Sequence, residues 1–301
     1  MLSLGLAAVL AASLPWAAPA RPTKIVGGGP VEPGAYPAVV AIMVPGGLCT
    51  GTLVSERVVL TAAHCVNGGL PPELLEVRLG DDVNLPGAPA YAVARYGAHP
   101  NYCGSDEPPC KEDVWDYGYV VLAEPVVGVA PIRPVARQEE WDEAMAIGDP
   151  ITLVGYGYDE KMLLGIKREV EVEIVARSGS GREFRAGGMG KDSCNGDSGG
   201  PVLVTLASGE TLLAGVTSRG FLDCGKGGFY GAPYPALCWL SKETGVDLRA
   251  DGCDSCDCLD MTDPKSRCGC AAGEAGGGLL ALVALLLAVR RRGSRVTPFA
   301  G

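Results

Sequence analysis

Histidine is almost absent from this chain: 301 residues hold two, His64 and His99. Imidazole chemistry at neutral pH therefore has only two candidates. Aromatic residues are sparse at 6%, and no internal repeat is visible. The central region has no long stretch of helical period, which argues against a helical bundle. Basic charge is short as well. Lys and Arg number 25 against 35 Asp and Glu, a net charge of -10. No basic patch precedes the extreme C-terminus, so a nucleic-acid partner is not expected.

Turn-forming residues, by contrast, are plentiful. Gly 44 and Pro 23 are spread along the chain between short Val, Leu, Ile and Thr runs. That pattern favours many short strands, an all-β sandwich or barrel. Twelve cysteines are ordinary in an exported protein and unusual in a reducing cytosol. Residues 1–20 agree: an apolar run closes on Ala18-Pro19-Ala20, the pattern of a signal peptide, although its start carries no Lys or Arg. At the other end, Leu279 to Val289 is uninterrupted apolar sequence, extended by small residues back to Ala271 and followed by Arg290, Arg291 and Arg292. It reads as a hydrophobic sorting or membrane-anchor tail, short for a comfortable span, with the arginines on the cytoplasmic side.

The chain thus divides into a leader (1–20), a body (25–250), a Cys-rich stretch (251–270) and a tail (271–301). The Cys-rich stretch has five cysteines and almost no apolar residues. It is expected to be a linker or small stapled stalk that buries no core of its own. Without histidine, and in an oxidising compartment, a metal site there is disfavoured. The acidic loop "GDDVN" has the composition of a solvated turn, and the sequence leaves calcium binding there open.

The segment "KDSCNGDSGGP", Lys191 to Pro201, raises the question of chemistry. Alone, a Gly-rich polar loop is a surface turn. A serine becomes a nucleophile only when a base takes its proton. His64 lies in "VVLTAAHCVNG", behind the strand-like run Val58 to Leu60, and His99 lies in the Pro-Asn turn "YGAHPNY". A carboxylate to orient the imidazole is offered by Glu112, Asp113 and Asp116. Asp116 directly precedes the alternating apolar run Tyr117 to Leu122, whereas Asp113 is expected to be solvated.

In order along the chain, "IVGG", "TAAHC", "AHPNY", "DYGYVVLAEPV", "KDSCNGDSGGP" and "GVTSRG" together resemble the trypsin/chymotrypsin family of serine endopeptidases, over roughly residues 25 to 248. The resemblance implies two six-stranded antiparallel Greek-key barrels with the active site between them and a short C-terminal helix. It implies Ser198 as nucleophile, His64 as general base and then acid, and Asp116 as the carboxylate that orients His64. The N–H groups of Gly196 and Ser198 would form the oxyanion hole, and His99 would be structural. Asp192 would floor a primary specificity pocket, with Ser218, Gly220 and Gly228 around it, implying protein or peptide substrates cut after Arg or Lys. No cofactor is implied.

The same resemblance pairs Cys49 with Cys65 and Cys194 with Cys224. Cys103 and Cys110 have no family counterpart and are expected to staple the loop ahead of Asp116. Cys238 is expected to bond to one of the stalk cysteines. Arg185 and the run Val202 to Val204 stand where the family usually has cysteines. Arg219 stands where the family usually has tryptophan, lining the sites beyond the primary pocket, and is expected to favour an acidic substrate residue. In "RPTKIVGG", cleavage after Lys24 would remove residues 21–24, and the freed Ile25 amine would pair with Asp197. The tail resembles a myxobacterial surface-sorting signal, with Cys268 or Cys270 as its cysteine. A protease-fold binding module without catalysis is the rival reading.

Overall fold

The computed structural model describes residues 25–104, 113–158, 163–221 and 223–267. Six strands close a first barrel: β2 (Val39–Val44), β3 (Gly47–Leu53), β4 (Val58–Thr61), β5 (Glu76–Arg78), β6 (Ala90–Ala98) and β7 (Gly118–Leu122), in the order β2-β3-β4-β7-β6-β5. Six more form the second: β8 (Pro150–Gly155), β9 (Arg168–Arg177), β10 (Glu183–Ala186), β11 (Pro201–Thr205), β12 (Thr211–Gly220) and β13 (Gly228–Gly231). Their order is β9-β10-β13-β12-β11-β8, and β8 pairs back onto β9 to close the ring. A short strand β1 (Gly29–Pro30) pairs with β9 from outside the ring. Helices are short: α1 (Ala63–Val66), α2 (Gln138–Ala144), the C-terminal α3 (Leu237–Thr244) and α4 (Pro264–Arg267). The two antiparallel barrels and the C-terminal helix are the fold expected.

Each strand reads as the packing demands. In β9, Val170, Val172 and Ile174 are buried while Glu171 and Glu173 are exposed, a period of two with one wet face. Strand β2 opens with four buried residues in a row, because both of its faces are covered. Ile151, Val172, Phe184, Val202, Leu212 and Tyr230 fill the second barrel, and Val40, Ile42, Val59, Val77, Val120 and Leu122 fill the first. A third cluster joins Val39, Leu60 and Tyr119 to Val154, Tyr156, Leu203 and Leu240. Apolar burial across that seam fixes the barrels against each other. Lys167, itself buried, crosses it by donating from Nζ to the carbonyls of Ala35 (3.2 Å) and Tyr36 (3.0 Å).

Residues 251–267, read as a linker or stalk, lie against the second barrel. Cys238 bonds to Cys256, as expected of a stalk cysteine, and Cys253 bonds to Cys258. Leu259 is buried in the second barrel's core. Trp141 Nε1 donates to Thr262 O at 3.0 Å, and Ile147 N donates to Asp263 Oδ1 at 3.2 Å. The segment is stapled and builds no core of its own; what composition did not announce is that it packs on the second barrel. Two disulfides reduce the entropy lost on ordering, and one leucine reaching an existing core then suffices. The leader, the prosegment, Cys268, Cys270 and the tail fall outside the described residues. Among the described residues, no helix is long and apolar enough to cross a membrane.

Candidate active site

Strand β4 ends at Thr61, and the single turn of α1 that follows carries His64. Asp116 sits just before β7, which pairs with β4, so adjacent strand ends deliver both residues to one place. The Asp116 carboxylate is buried and accepts three hydrogen bonds. His64 N donates to Oδ1 at 2.9 Å, His64 Nδ1 lies 2.8 Å from Oδ2, and the Ser218 hydroxyl donates to Oδ2 at 2.7 Å. With Nδ1 held by a carboxylate, the ring's proton is fixed there and Nε2 is left as the acceptor. Ser218, expected to bind substrate, therefore spends its hydroxyl on Asp116 and also lines the neighbouring pocket.

The residues just before Asp116 are gripped from several sides. Trp115 holds a positive φ of 51°, a conformation costly for an aromatic residue. It is stacked on His99 at 4.7 Å, and the guanidinium of Arg182 lies 4.9 Å from its ring. His99 also meets Trp239 edge-on at 4.8 Å. Burial pushes its imidazole down to about 4, so it stays neutral, a packing residue. Asp113, expected in solvent, is instead buried: its carboxylate meets the Ser180 hydroxyl at 2.8 Å and Arg182 at 3.5 Å. The turn between β9 and β10 reaches over to it, a contact no local pattern announces. Cys103 is disulfide-bonded, while Cys110 lies outside the described residues.

Ser198 lies on the loop entering β11, and the first barrel nails that loop down. Thr50 N donates to Ser198 O at 2.8 Å, and Thr50 Oγ1 donates to Gly196 O at 2.9 Å. The next residue after His64, Cys65, places its Sγ 3.7 Å from Ser198 O and bonds to Cys49. No hydrogen bond joins Ser198 Oγ to His64 in this structure. Two backbone donors stand out by contrast with their neighbours. Asp197 N donates to Cys194 O and Gly199 N to Thr217 O, yet the N–H groups of Gly196 and Ser198 meet no acceptor among the described residues. Gly196 sits at φ +97°, and a Cβ there would lie 2.8 Å from Gly157 Cα. Glycine is required for both reasons.

Beside Ser198 opens a pocket of about 240 Å³, lined by Ser193, Asn195, Ser198, Ser218, Gly220 and Phe221 among others. Cys194 and Cys224, bonded to each other, also belong to its wall. A Cβ on Gly220 would have no neighbour nearer than 4.0 Å, so that wall is open. Asp192 precedes Ser193 and is only 1% exposed. Its Oδ2 accepts from Gly225 N (3.1 Å) and Gly227 N (3.0 Å), while Oδ1 faces Tyr230 Oη at 3.4 Å. A Cβ on Gly228 would come within 3.3 Å of Oδ1. Burial pushes this carboxyl above its ordinary range, as expected for an acid without a cation beside it.

Asp197 is sealed off completely. Its Oδ1 accepts from Gly157 N and its Oδ2 from Cys194 N, both at 2.8 Å, and burial pushes it up to about 7. Ile25 is buried in the second barrel's core, and Val26 exchanges backbone hydrogen bonds with Asp192 (2.9 and 3.0 Å). The start of the body is thus already seated against residues 190–192.

Residues 25–237 match the family described as Trypsin. The chain belongs to that family. Among curated relatives, this trypsin-family chain is 29% identical over 214 residues to phenoloxidase-activating factor 1 of Holotrichia diomphalia, covering 61% of this chain and 57% of that protein. It is 31% identical over 208 residues to phenoloxidase-activating enzyme 1 of Spodoptera litura (61% and 54% covered). It is 28% identical over 220 residues to the inactive CLIP domain-containing serine protease A28 of Anopheles gambiae (65% and 55% covered). The chain spans little more than half the length of these relatives.

Arg219 corrects an expectation. Its guanidinium is clamped by Glu183, with Nη1 to Oε1 at 3.0 Å and Nη2 to Oε2 at 2.6 Å, and it lies 4.6 Å from the Phe229 ring centroid. Its charge is answered inside the protein. Glu183, which also accepts from Val114 N at 3.0 Å, was not marked by the sequence. Neither was Thr50, the residue after Cys49, although its bonds hold both ends of the Gly196–Ser198 segment.

Proposed function

We propose that this chain is an exported serine endopeptidase that cleaves after Arg or Lys and is switched on by cleavage after Lys24. One observation carries the reading: the unclaimed N–H groups of Gly196 and Ser198 lie on the Ser198 loop, while His64 is held by buried Asp116. In this mechanism His64 Nε2 takes the Ser198 proton as Oγ attacks the substrate carbonyl, and Asp116 stabilises the imidazolium that forms. The developing oxyanion takes the two free N–H groups, each worth roughly 3 kcal/mol in the transition state. His64 then returns the proton to the leaving amine, and water repeats the sequence on the acyl-enzyme.

The open edge of β12 supports the substrate side. Pairing of β11 with β12 reaches only Pro201 opposite Val216, leaving Ser218 to Gly220 free on the side of Ser198. An extended peptide adds there as a strand, with its basic side chain entering the pocket toward Asp192. For activation, a freed Ile25 ammonium would neutralise Asp197, otherwise a carboxylate in a desolvated site. Export is supported by the cystines Cys49–Cys65, Cys194–Cys224, Cys238–Cys256 and Cys253–Cys258, which suit an oxidising compartment. Display at a bacterial cell surface through the tail rests on the sequence alone.

The test is a panel of chromogenic peptides differing only at the residue before the cut, offered to the full chain processed at Lys24. Cleavage after Arg and Lys, abolished by Ser198→Ala, is expected. Folded, processed protein that cleaves nothing would favour the binding-module reading.

A further inference from the structure

Strands β10, β13 and β12 place Arg185 opposite Phe229 and Phe229 opposite Arg219. The three side chains form a cross-strand row, guanidinium, phenyl, guanidinium, with Arg185 lying 5.5 Å and Arg219 lying 4.6 Å from the Phe229 ring centroid. The two cations differ in one respect. Arg219 is neutralised by Glu183. Arg185 has no carboxylate among the described residues, and its Nε is buried without a hydrogen-bond partner. It is held instead over two rings, Phe229 and Phe221, the latter at 5.8 Å.

Phe221 connects this cation to the pocket. It is 45% exposed and forms part of the pocket wall, next to Gly220. A peptide extended along the free edge of Ser218 to Gly220 advances about 3.3 Å per residue. With its basic residue in the pocket beside Ser218, its third residue upstream arrives at Phe221. In a protein of net charge -10, a cation that no carboxylate among the described residues answers selects by sign at that point.

We propose that the Arg185 guanidinium, seated on Phe221 and Phe229, is a subsite for an acidic side chain at the fourth residue before the scissile bond. This rests on the peptidase reading above and assigns to Arg185 the charge preference that Arg219 cannot exert. The aromatic backing holds the guanidinium flat and partly desolvated, which strengthens its attraction for a carboxylate.

The test uses acetylated tetrapeptide anilides ending Ala-Ala-Arg, with Glu, Gln or Lys in first place, and the full chain processed at Lys24. Expected is a roughly two- to fivefold higher kcat/KM for Glu than for Gln, the size of a partly exposed charge pair. The gain should lie in KM, fade at high salt, and invert for Lys. Arg185→Gln should level the three peptides while cleaving the Gln peptide as well as the parent does, which also shows that the variant folds. Equal rates on all three peptides in the parent would overturn the subsite while leaving the peptidase intact. A Glu preference that survives Arg185→Gln would overturn the assignment to Arg185. No cleavage of any peptide would overturn the peptidase reading, and the subsite with it.

Discussion

Replacing Asp197 by Asn removes a charge from a site too crowded to change shape. A Cβ added to Gly155 or Gly157 would come within 2.2 or 2.6 Å of the carboxylate, so neither position can carry a side chain. While Ile25 remains amide-linked to Lys24, the carboxylate has two backbone N–H groups and no ammonium. Burial then raises it from 3.8 to about 7. The folded chain therefore holds this proton more tightly than the unfolded one. The resulting stability is present in full below pH 3.8 and is lost as pH rises through about 7. A shift of that size corresponds to about 4 kcal/mol, an upper bound for so tightly packed a group. On the proposed activation, cleavage would place an ammonium against the carboxylate and remove the penalty. The assay is urea denaturation between pH 4 and 8 on a Ser198→Ala background, which prevents self-digestion. Uncleaved chain should lose stability across that window relative to the Asp197→Asn chain, and cleaved chain should not. Identical pH dependence in uncleaved Asp197 and Asp197→Asn chains would refute the reasoning, as would cleaved and uncleaved chains that behave alike.

Three other outcomes follow from the same geometry. Asp192→Ser should lower kcat/KM on Arg and Lys peptides by about 2–4 kcal/mol, thirtyfold to several hundredfold, by removing the pocket's charge-assisted partner; a steady-state comparison across the peptide panel checks it. Gly199→Ala sets a Cβ 2.0 Å from Thr61 Oγ1 at φ +78° and should cost about 3 kcal/mol or more. Gly34→Ala, at a similar φ of +79° with nothing within 4 Å, should cost only about 1–2 kcal/mol, and calorimetry separates the two. Replacing both Cys238 and Cys256 by serine opens a bridge of sequence separation 18, so stability should fall by about 3 kcal/mol. Residues 251–267 should then become the first site of limited proteolysis.

What the sequence could announce and what it could not divide along one physical line. Strand alternation and Gly-rich turns are local, so an all-β chain was legible from them. The two barrels and the candidate roles of His64, Asp116 and Ser198 came only with the family resemblance that the short motifs carry. Asp113 and Arg219 were misjudged because their partners are distant in sequence: Ser180 and Arg182 for one, Glu183 for the other. A charged residue's environment depends on what the topology brings opposite it: the turn between β9 and β10 supplies Ser180 and Arg182, and the first residue of β10 supplies Glu183. The seating of the Cys-rich segment on the second barrel was not legible for a related reason. Its own composition cannot build a core, but Leu259 needs only to reach the core of the second barrel, and the Cys238–Cys256 bridge brings it there. Thr50 escaped notice because a threonine inside a β-strand carries no motif, although it bonds to both Gly196 and Ser198.

The central claim is that Ser198 is a nucleophile activated by His64. Its most direct test is reaction of the full chain, processed at Lys24, with a fluorophosphonate, followed by peptide mass spectrometry to locate the adduct. The account predicts a single stoichiometric adduct on Ser198, formed far more slowly when Lys24 is uncleaved and lost with His64→Ala. A folded, processed chain that takes up no label, or carries it on another residue, would contradict it.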